Sequence, residues 1–441
     1  PTNIAKKNIL KMLCSKFSKN PYVYSNFARY YHYIEEDEDA ALENIQKSLD
    51  IMEDYTFYHI KGIVLAKKMR VYIQNNTNEI LKNYNSFVQK IYDVLQEVEN
   101  AYDKSVELNI GNIAAYTSKI NYLLSIIHDV KKYICPNLTV PQMISMDKYS
   151  WCNEYIAKAH ETVEDIKIID VYMNTNHEFN IGNYEGQIAD LEGNISEAIS
   201  GWNNLLTKDD VYHPTIRKNL VYGYYRQCNK EWHTLNRNKR EYVQKLIMDN
   251  IQEESDNSNN IVQWFDFARS FEDNLGKTVD YFRQYVVKPD LRYYYRAMLT
   301  FFAYGIENQD KTYIKQGIEF SNKCEELARE KPNRRLLLDV YNSNGKGLKR
   351  IEKFKTFLKK SDSFNDALAL VPKIKGRIAR IDKPEIGWIA MEEFGINIKF
   401  NPSYNSARIY RQTKDEGVKV EFVLGFRLEG VFAFSVSDIE N

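Results

Sequence analysis

Apolar residues recur at spacings of three and four along residues 1–370, which is the periodicity of an amphipathic helix. The breaks between these periodic segments are short and rich in Asn, Asp and Gly, and Pro is rare. We therefore predict a row of helical hairpins over residues 1–370. Such a row makes internal repeats the first organisation to test.

Several stretches follow the tetratricopeptide pattern of about 34 residues, in which small residues let two helices approach and large ones fill the groove between repeats. The clearest copy begins near Ile181, with Gly186 in the first helix, Gly193 in the turn, and Ala198 and Trp202 in the second helix. The other copies are Tyr24 to Ser48, with one residue inserted in the turn, Trp264 to Phe271, and looser ones around Tyr58 to Leu65, Ala101 to Leu123 and Tyr294 to Cys324.

The pattern changes at about residue 371 to an alternation of period two, which predicts strands. Five short strands in about 70 residues are typical of a small OB barrel. The sequence therefore predicts a mainly α fold, in which a tetratricopeptide-like solenoid (1–370) precedes a five-stranded OB/cold-shock-like β-barrel (371–441). The expected strands are Ile374 to Ile381, Gly387 to Glu392, Asn397 to Phe400, Val418 to Phe426 and Val431 to Ser437.

Composition narrows the class of protein. The chain has 441 residues, of which 13% are aromatic, so we do not expect it to be intrinsically disordered. Its formal net charge is +0, so we do not expect it to attract nucleic acid or anionic membranes through its overall charge. It has no signal peptide or run of about 18 apolar residues, so we expect no membrane partner. Five scattered cysteines without a CxxC favour reduced thiols in the cytoplasm. Because the chain begins with Pro1 and not Met, we interpret it as a fragment of a longer protein.

The search for catalytic chemistry is negative. No pair of histidines has the HExxH spacing, and His59 is expected to be a packing or capping residue. The segment from Asn344 to Gly347 departs from a phosphate loop, because Val340 stands where that loop needs Gly. We therefore predict no catalytic residue, no cofactor, no metal and no enzyme activity.

Two surfaces are candidate binding sites. The inner face of the repeats would present Asn26, Arg29 and Tyr30 to a protein, although Arg29 could equally be a plain solvated residue. The stretch from Lys346 to Lys383 holds twelve basic and four acidic residues. It can neutralise phosphates, or it is an exposed linker helix.

The C-terminal segment resembles a cold-shock-type OB domain in the order and spacing of five elements. In that family, aromatic residues of two motifs stack on bases. The resemblance places Trp388 and Phe400 on those positions, although both could equally be ordinary barrel or interface residues. Arg377, Arg380 and Lys383 of the basic stretch complete the candidate nucleic-acid site. The opening strand lacks the family's aromatic residue, and the second motif lacks its His. The matching elements are Gly376 to Ile378, Gly387 to Ile389, Ile398 to Pro402, Gly417 to Phe422 and Gly430 to Val436.

The repeats near the N-terminus are similar to those of the vertebrate antiviral proteins that carry a sterile alpha motif. Those proteins, and bacterial defence relatives of the STAND class, place a nucleotide-binding core before such repeats and end in an OB-like domain. The resemblance implies the sensor half of an antiviral signalling ATPase, with the ATPase and effector domains outside this chain. It rests on Asn20-Pro21, Phe27 to Tyr31, Ala41 to Leu49, Tyr58 to Gly62 and Ala115 to Ile120.

Together these patterns favour a non-catalytic sensor or scaffold region of an antiviral defence or signalling protein. Its solenoid would bind a protein ligand or the upstream domains of the same polypeptide. The alternative is RNA or single-stranded DNA binding through the barrel and the basic stretch before it. The sequence does not determine the ligand or the oligomeric state.

Overall fold

A computed structural model of the chain describes residues 2–208, 213–271, 274–284, 290–329, 338–354, 367–368, 370–403 and 408–439. Contacts divide the chain into two compact units, Pro1–Gly223 and Tyr224–Asn441. The predicted division into 1–370 and 371–441 follows the change from helices to the barrel, and as a statement about domains it stays a prediction.

The first unit is built of helical pairs. The pairs are α2 with α3, α4 with α6, α7 with α9, and α10 with α11, and the first helices of successive pairs contact one another. The helices are α1 Asn3–Lys16, α2 Pro21–Tyr30, α3 Glu38–Ile51, α4 Tyr55–Asn75, α5 Thr77–Lys82, α6 Tyr84–Leu108, α7 Ile113–Asp129, α8 Val140–Ile144, α9 Trp151–Met173, α10 Glu178–Glu192, α11 Ile195–Leu206 and α12 His213–Gln227, which crosses into the second unit.

The pair α10 and α11 is the repeat predicted from Ile181, and its packing explains the spacing of small and large residues. Gly186 on α10 faces Trp202 on α11 so closely that a Cβ atom would lie 2.4 Å from the indole Nε1. Gly193 ends α10 with a φ of 94°, in the left-handed region that favours glycine. Because Gly186 has no side chain, the indole of Trp202 can pack directly on the backbone of α10, which allows the two helices to lie close together.

The other pairs vary this arrangement. In α2 and α3, the inserted residue is accommodated by a π-helical turn, Tyr31–Glu35. In α4 and α6, Gly62 lies against the ring of Tyr102. The looser copy from Ala101 to Leu123 is wrong as a single repeat, because Ala101 lies on α6 and Leu123 on α7, which belong to successive pairs.

The second unit combines helices with a sheet. The five predicted strands are present and begin or end within two residues of the expected positions. Its elements are α13 Arg237–Glu253, α14 Ser258–Ala268, α15 Leu275–Gln284, α16 Leu291–Glu307, α17 Lys311–Arg329, β1 Asp339–Tyr341, β2 Ile351–Lys353, β3 Ile374–Lys383, β4 Ile386–Met391, β5 Ile396–Phe400, β6 Lys419–Arg427 and β7 Gly430–Asp438.

Strands β3 to β7 form a closed barrel. Neighbouring strands follow the order β3, β4, β5, β7 and β6, and β6 pairs back with β3. The pairing of β5 with β7 is parallel and the others are antiparallel. A five-stranded Greek-key barrel of this kind is the OB architecture. The predicted fold class, helical repeats followed by a small OB-like barrel, is confirmed.

Two short strands precede the barrel, so the prediction of helix up to residue 370 is wrong for this part. Strand β1 pairs with β2 and with the end of β6. The Tyr295 hydroxyl on α16 donates to Asp339 Oδ2 at 2.8 Å and lies 3.0 Å from the Phe426 carbonyl oxygen. Arg269, which follows the last residue of α14, forms an ion pair with Asp339 Oδ1 at 3.2 Å. These buried polar contacts fix the sheet to the helices of the same unit.

Candidate functional site

The three side chains predicted to line the inner face of the repeats lie on α2, and they differ in exposure. Asn26 and Arg29 are exposed, whereas Tyr30 is buried, so the prediction of an exposed Tyr30 is wrong. Tyr30 follows Phe27 by three residues and therefore shares its buried helix face. Its hydroxyl donates to Glu35 Oε1 at 2.6 Å, and this hydrogen bond, with burial, raises the pKa of Tyr30 to about 12. Tyr30 stabilises the first pair and is not free to bind a ligand.

Polar contacts connect the first helices of successive pairs. His59 Nε2 on α4 lies 2.9 Å from Ser118 Oγ on α7. Asn121 on α7 donates to the hydroxyl of Tyr184 on α10 at 2.8 Å. Burial, and then the charge of Arg29, lower the pKa of His59. His59 is therefore a neutral packing residue at pH 7, and Arg29 lies close enough to influence it.

An open groove of about 400 Å³ lies between α6, α7 and α9, and we call it the α6–α9 groove. Its walls are apolar where they are deepest, at Tyr102, Ala115, Tyr116 and Ile169. Its rim is charged, with Asp103 and Glu107 from α6, Lys119 from α7 and Asp165 from α9.

Large apolar side chains stand exposed beside this groove. Ile168 is 65% exposed, Val171 86% and Tyr172 80%. These positions on α9 are related as i, i+3 and i+4, so the three side chains share one face of the helix. Ile110, 51% exposed, lines the groove together with Ile168 and extends the apolar surface to the end of α6.

Sequence reasoning missed this surface. The signal was present, because the C-terminal half of α9 is apolar on two faces. One face, which includes Val163, Ile166 and Ile169, is buried in the core of the unit. The second face, which includes Ile168 and Val171, repeats the same spacing but is exposed. The periodicity predicts a helix in either case and does not show which apolar face is covered.

The electrostatics of the groove are acidic. Partial desolvation at the groove, followed by the nearby charges of Asp103 and Glu161, raises the pKa of Asp165 against the opposing effect of Lys119. Lys119 Nζ forms an ion pair with Asp103 Oδ1 at 2.8 Å. A second groove of about 570 Å³, between α9, α10 and α11, is acidic as well; its charged lining residues are Glu178, Glu185, Glu192, Glu197, Lys167 and His160. A positively charged ligand suits this side of the unit.

On the barrel, Trp388 points outward from β4 and is partly exposed. It is directly opposite Arg380 on β3 and Lys399 on β5. The Trp388 indole donates to Asp382 Oδ2 at 2.8 Å, and the Arg380 guanidinium lies 5.3 Å from the ring centre. Arg380, Trp388 and Lys399 thus form a cross-strand row of two cations around one aromatic ring.

Phe400 does not join this row, so of its two predicted roles the stacking on bases is not available to it and the place in the barrel remains. It is 1% exposed and lies on the inner face of β5 with Ile396 and Ile398. Its ring packs directly on Gly387 of β4, where a Cβ atom would lie 2.4 Å from the ring carbon Cε1 of Phe400. The alternation of β5 assigns Phe400 to the barrel core.

The cations of the predicted nucleic-acid site are partly neutralised. Arg377 pairs with Glu392 at 2.9 Å, and Arg380 pairs with Asp382 at 3.2 Å. Lys383 is exposed at the end of β3. Two other members of the basic stretch also meet acids, Arg350 with Glu307 and Lys373 with Glu421. Lys355, Lys359 and Lys360 lie outside the described residues.

All five cysteines lie among the described residues and are free thiols, and four of them are buried. Burial raises the pKa of Cys152 and of Cys324, which keeps these thiols protonated and unreactive. Among the described residues, no group of three His, Cys, Asp or Glu side chains is placed to hold a metal ion. None of the described helices has the length and apolar character to cross a membrane.

No protein-family model matches the sequence, and a search of curated proteins gives no match.

Proposed function

We propose that the chain is a non-catalytic scaffold that binds a protein ligand through the helical pairs of its first unit. The observation that carries the proposal is the exposed apolar face of α9 beside the α6–α9 groove. Contiguous apolar surface with a polar rim is characteristic of protein interaction sites. Helical repeats present such extended surfaces to protein segments.

The shape of this surface favours a protein segment over a small molecule. A small molecule is enclosed for most of its area by a concave site. Here Val171 and Tyr172 project from the helix at 86% and 80% exposure. Only a ligand that extends beyond the groove and along the helix covers both side chains. We propose Asn26 and Arg29 on α2 as a second contact region, on the face formed by α2, α4, α7 and α10, the first helices of the pairs.

The wider setting is also part of the proposal. The similarity of residues 20–125 to the repeats of antiviral proteins supports a sensor role in an antiviral signalling protein, with the ATPase and effector domains outside this chain. The scattered free cysteines support a cytoplasmic location. The upstream domains of the same polypeptide are then alternative ligands for the repeats.

The experiment is a pull-down from infected and uninfected host lysate with the full chain as bait, with and without nuclease. We expect a specific protein to be recovered in the presence of nuclease, and recovery to fall with the double variant Ile168→Asp and Val171→Asp. The control is Leu81→Asp, because Leu81 is 50% exposed on α5 and lines neither groove. Recovery that disappears with nuclease would contradict the proposal.

A second candidate function, binding of single-stranded nucleic acid, is favoured by the row of Arg380, Trp388 and Lys399. A base stacked on an aromatic ring contributes about 1–3 kcal/mol. We propose as its test the fluorescence anisotropy of labelled RNA and DNA oligonucleotides at low and physiological salt. If the barrel binds them, Trp388→Ala should weaken binding about tenfold, and salt should weaken it steeply. Tyr33→Ala, on the first unit, is the control, because Tyr33 is an exposed aromatic residue as well.

A further inference from the structure

We propose that the ligand of the first unit docks as an amphipathic helix, whose contact face carries apolar residues at one end and Lys or Arg at the other. This inference rests on the proposed function and specifies its partner. The docking surface is one outward face of α9, which we call the α9 stripe, together with the α6–α9 groove beside it. The stripe consists of Glu161, Glu164, Asp165, Ile168, Val171 and Tyr172.

The spacing of the stripe defines its geometry. Successive members are three, one, three, three and one residues apart, so all six lie along one face of α9. Eleven residues separate the first member from the last, which corresponds to about 16 Å at about 1.5 Å per residue. All six side chains are exposed. The stripe therefore matches the contact face of a partner helix about three turns long.

The two halves of the stripe differ in chemistry. Its N-terminal half is acidic and its C-terminal half is apolar. Across the groove, α6 repeats this order, with Asp103 and Glu107 followed by Ile110 just beyond the helix. A partner helix in this position meets carboxylates at one end and exposed apolar side chains at the other, on both sides of the groove.

Lysines of this unit neutralise only part of the acidic end. Lys119 pairs with Asp103, Lys104 with Glu107 and Lys167 with Glu164. Asp165 remains close to Asp103 and Glu161, and its partial desolvation, followed by these like charges, raises its pKa. A cation of the ligand placed among these carboxylates relieves their repulsion and is itself attracted by them. The charge pattern therefore selects a basic partner.

The same asymmetry disfavours a second copy of this chain as the occupant. A two-fold symmetric contact places the same patch on both partners. If two α9 stripes ran in parallel, acids would face acids. If they ran antiparallel, the acidic half of each would lie on the apolar half of the other. Both arrangements leave carboxylates without a cation, whereas a basic amphipathic helix satisfies both halves.

The test uses a display library of helix-forming peptides of about 15 residues, selected on the immobilised full chain. We expect the enriched peptides to carry apolar residues at i, i+3 and i+4, with Lys or Arg one to two turns away. A synthetic peptide from this set should bind Val171→Asp at least about tenfold more weakly, because the substitution puts a carboxylate where an apolar side chain would be buried by the peptide. Glu161→Lys should also weaken binding, and added salt should reduce the affinity for the unmodified chain.

The control is Leu81→Asp, which should leave the affinity unchanged. Val171 is 86% exposed, so Val171→Asp should fold normally, and circular dichroism checks this. The protein recovered in the pull-down should contain a segment with the same pattern, and that segment as a synthetic peptide should show the same dependence on Val171 and Glu161.

Other results would overturn the inference in distinguishable ways. Peptides that are acidic, or that bind Val171→Asp as well as the unmodified chain, would contradict it. A peptide whose binding depends on Asn26 and Arg29 instead would contradict it but leave the proposed function in place. A dimer in sedimentation that Val171→Asp dissociates would make a second copy the occupant. If neither a protein nor a peptide binds the first unit, the proposed function fails as well.

Discussion

The contact between Gly186 and Trp202 allows a test in which one type of substitution has opposite effects at two sites. Gly186 and Gly201 both lie inside helices of the same pair, α10 and α11. A Cβ atom at Gly186 would lie 2.4 Å from the indole Nε1 of Trp202, whereas one at Gly201 meets nothing within 4 Å. We expect Gly201→Ala to stabilise the first unit and Gly186→Ala to destabilise it.

The magnitude follows from two terms. Replacement of a helical Gly by Ala stabilises by about 0.5–1 kcal/mol, because Gly loses more conformational entropy on folding. This term is common to both variants and cancels in their difference. The clash remains, and Trp202 is 1% exposed, so it cannot move aside into solvent. Overpacking of this kind costs about 1–3 kcal/mol, which is the expected difference between the two variants.

The assay is hydrogen exchange followed by mass spectrometry on the full chain, because the two units need not unfold together. Peptides from α10 and α11 report the local free energy of opening, and urea unfolding gives a second measurement. Equal stability of the two variants would refute the reasoning, because it would show that the indole does not limit the approach of the helices.

Three further predictions concern buried and charged groups. Burial and Arg29 lower the pKa of His59 from 6.5, so the neutral side chain stabilises the folded state above pH 6.5 and this contribution is lost as the pH falls toward the lowered pKa. Urea midpoints measured from above pH 6.5 to below it should therefore fall with pH, and His59→Gln should make this fall smaller. The pKa of Asp165 is raised above 3.8 in the folded state, so the ionised carboxylate destabilises the fold at neutral pH. Asp165→Asn should therefore raise the melting temperature at pH 7, and this gain should vanish as the pH falls toward and below 3.8, where the carboxyl is protonated before and after unfolding. Tyr295→Phe removes the hydrogen bond to Asp339 and should cost about 1.5–3 kcal/mol in urea unfolding, more than Tyr293→Phe, which removes a hydrogen bond to a neutral carbonyl.

Local pattern alone was enough to predict much of the fold. The small and large residues of the repeat at Ile181 fix how two adjacent helices approach, and that contact is made within about 20 residues of chain. The five strands of the barrel were predicted because alternation of period two is itself a local property. Strands β1 and β2 were missed because each has only three residues, and β1, with which β2 pairs, is itself held by β6 far along the chain.

The candidate sites depended far more on tertiary structure. Tyr30 and Phe400 have types and spacings that suit binding, but the helix face of one and the strand face of the other are turned toward the core. The exposed face of α9 shows the converse, since Ile168, Val171 and Tyr172 have the spacing of core residues. Both faces of the C-terminal half of this helix are apolar, and only the packing of α9 against α7 and α10 determines which one is buried.

The sequence by itself therefore determined most of the secondary structure and the packing of neighbouring helices in the clearest repeat, because periodicity and residue size act over short stretches of chain. The tertiary structure decided which apolar and charged side chains remain in solvent. Exposure depends on elements far apart in the chain, such as the ends of α6 and α9, which come together only when the chain folds.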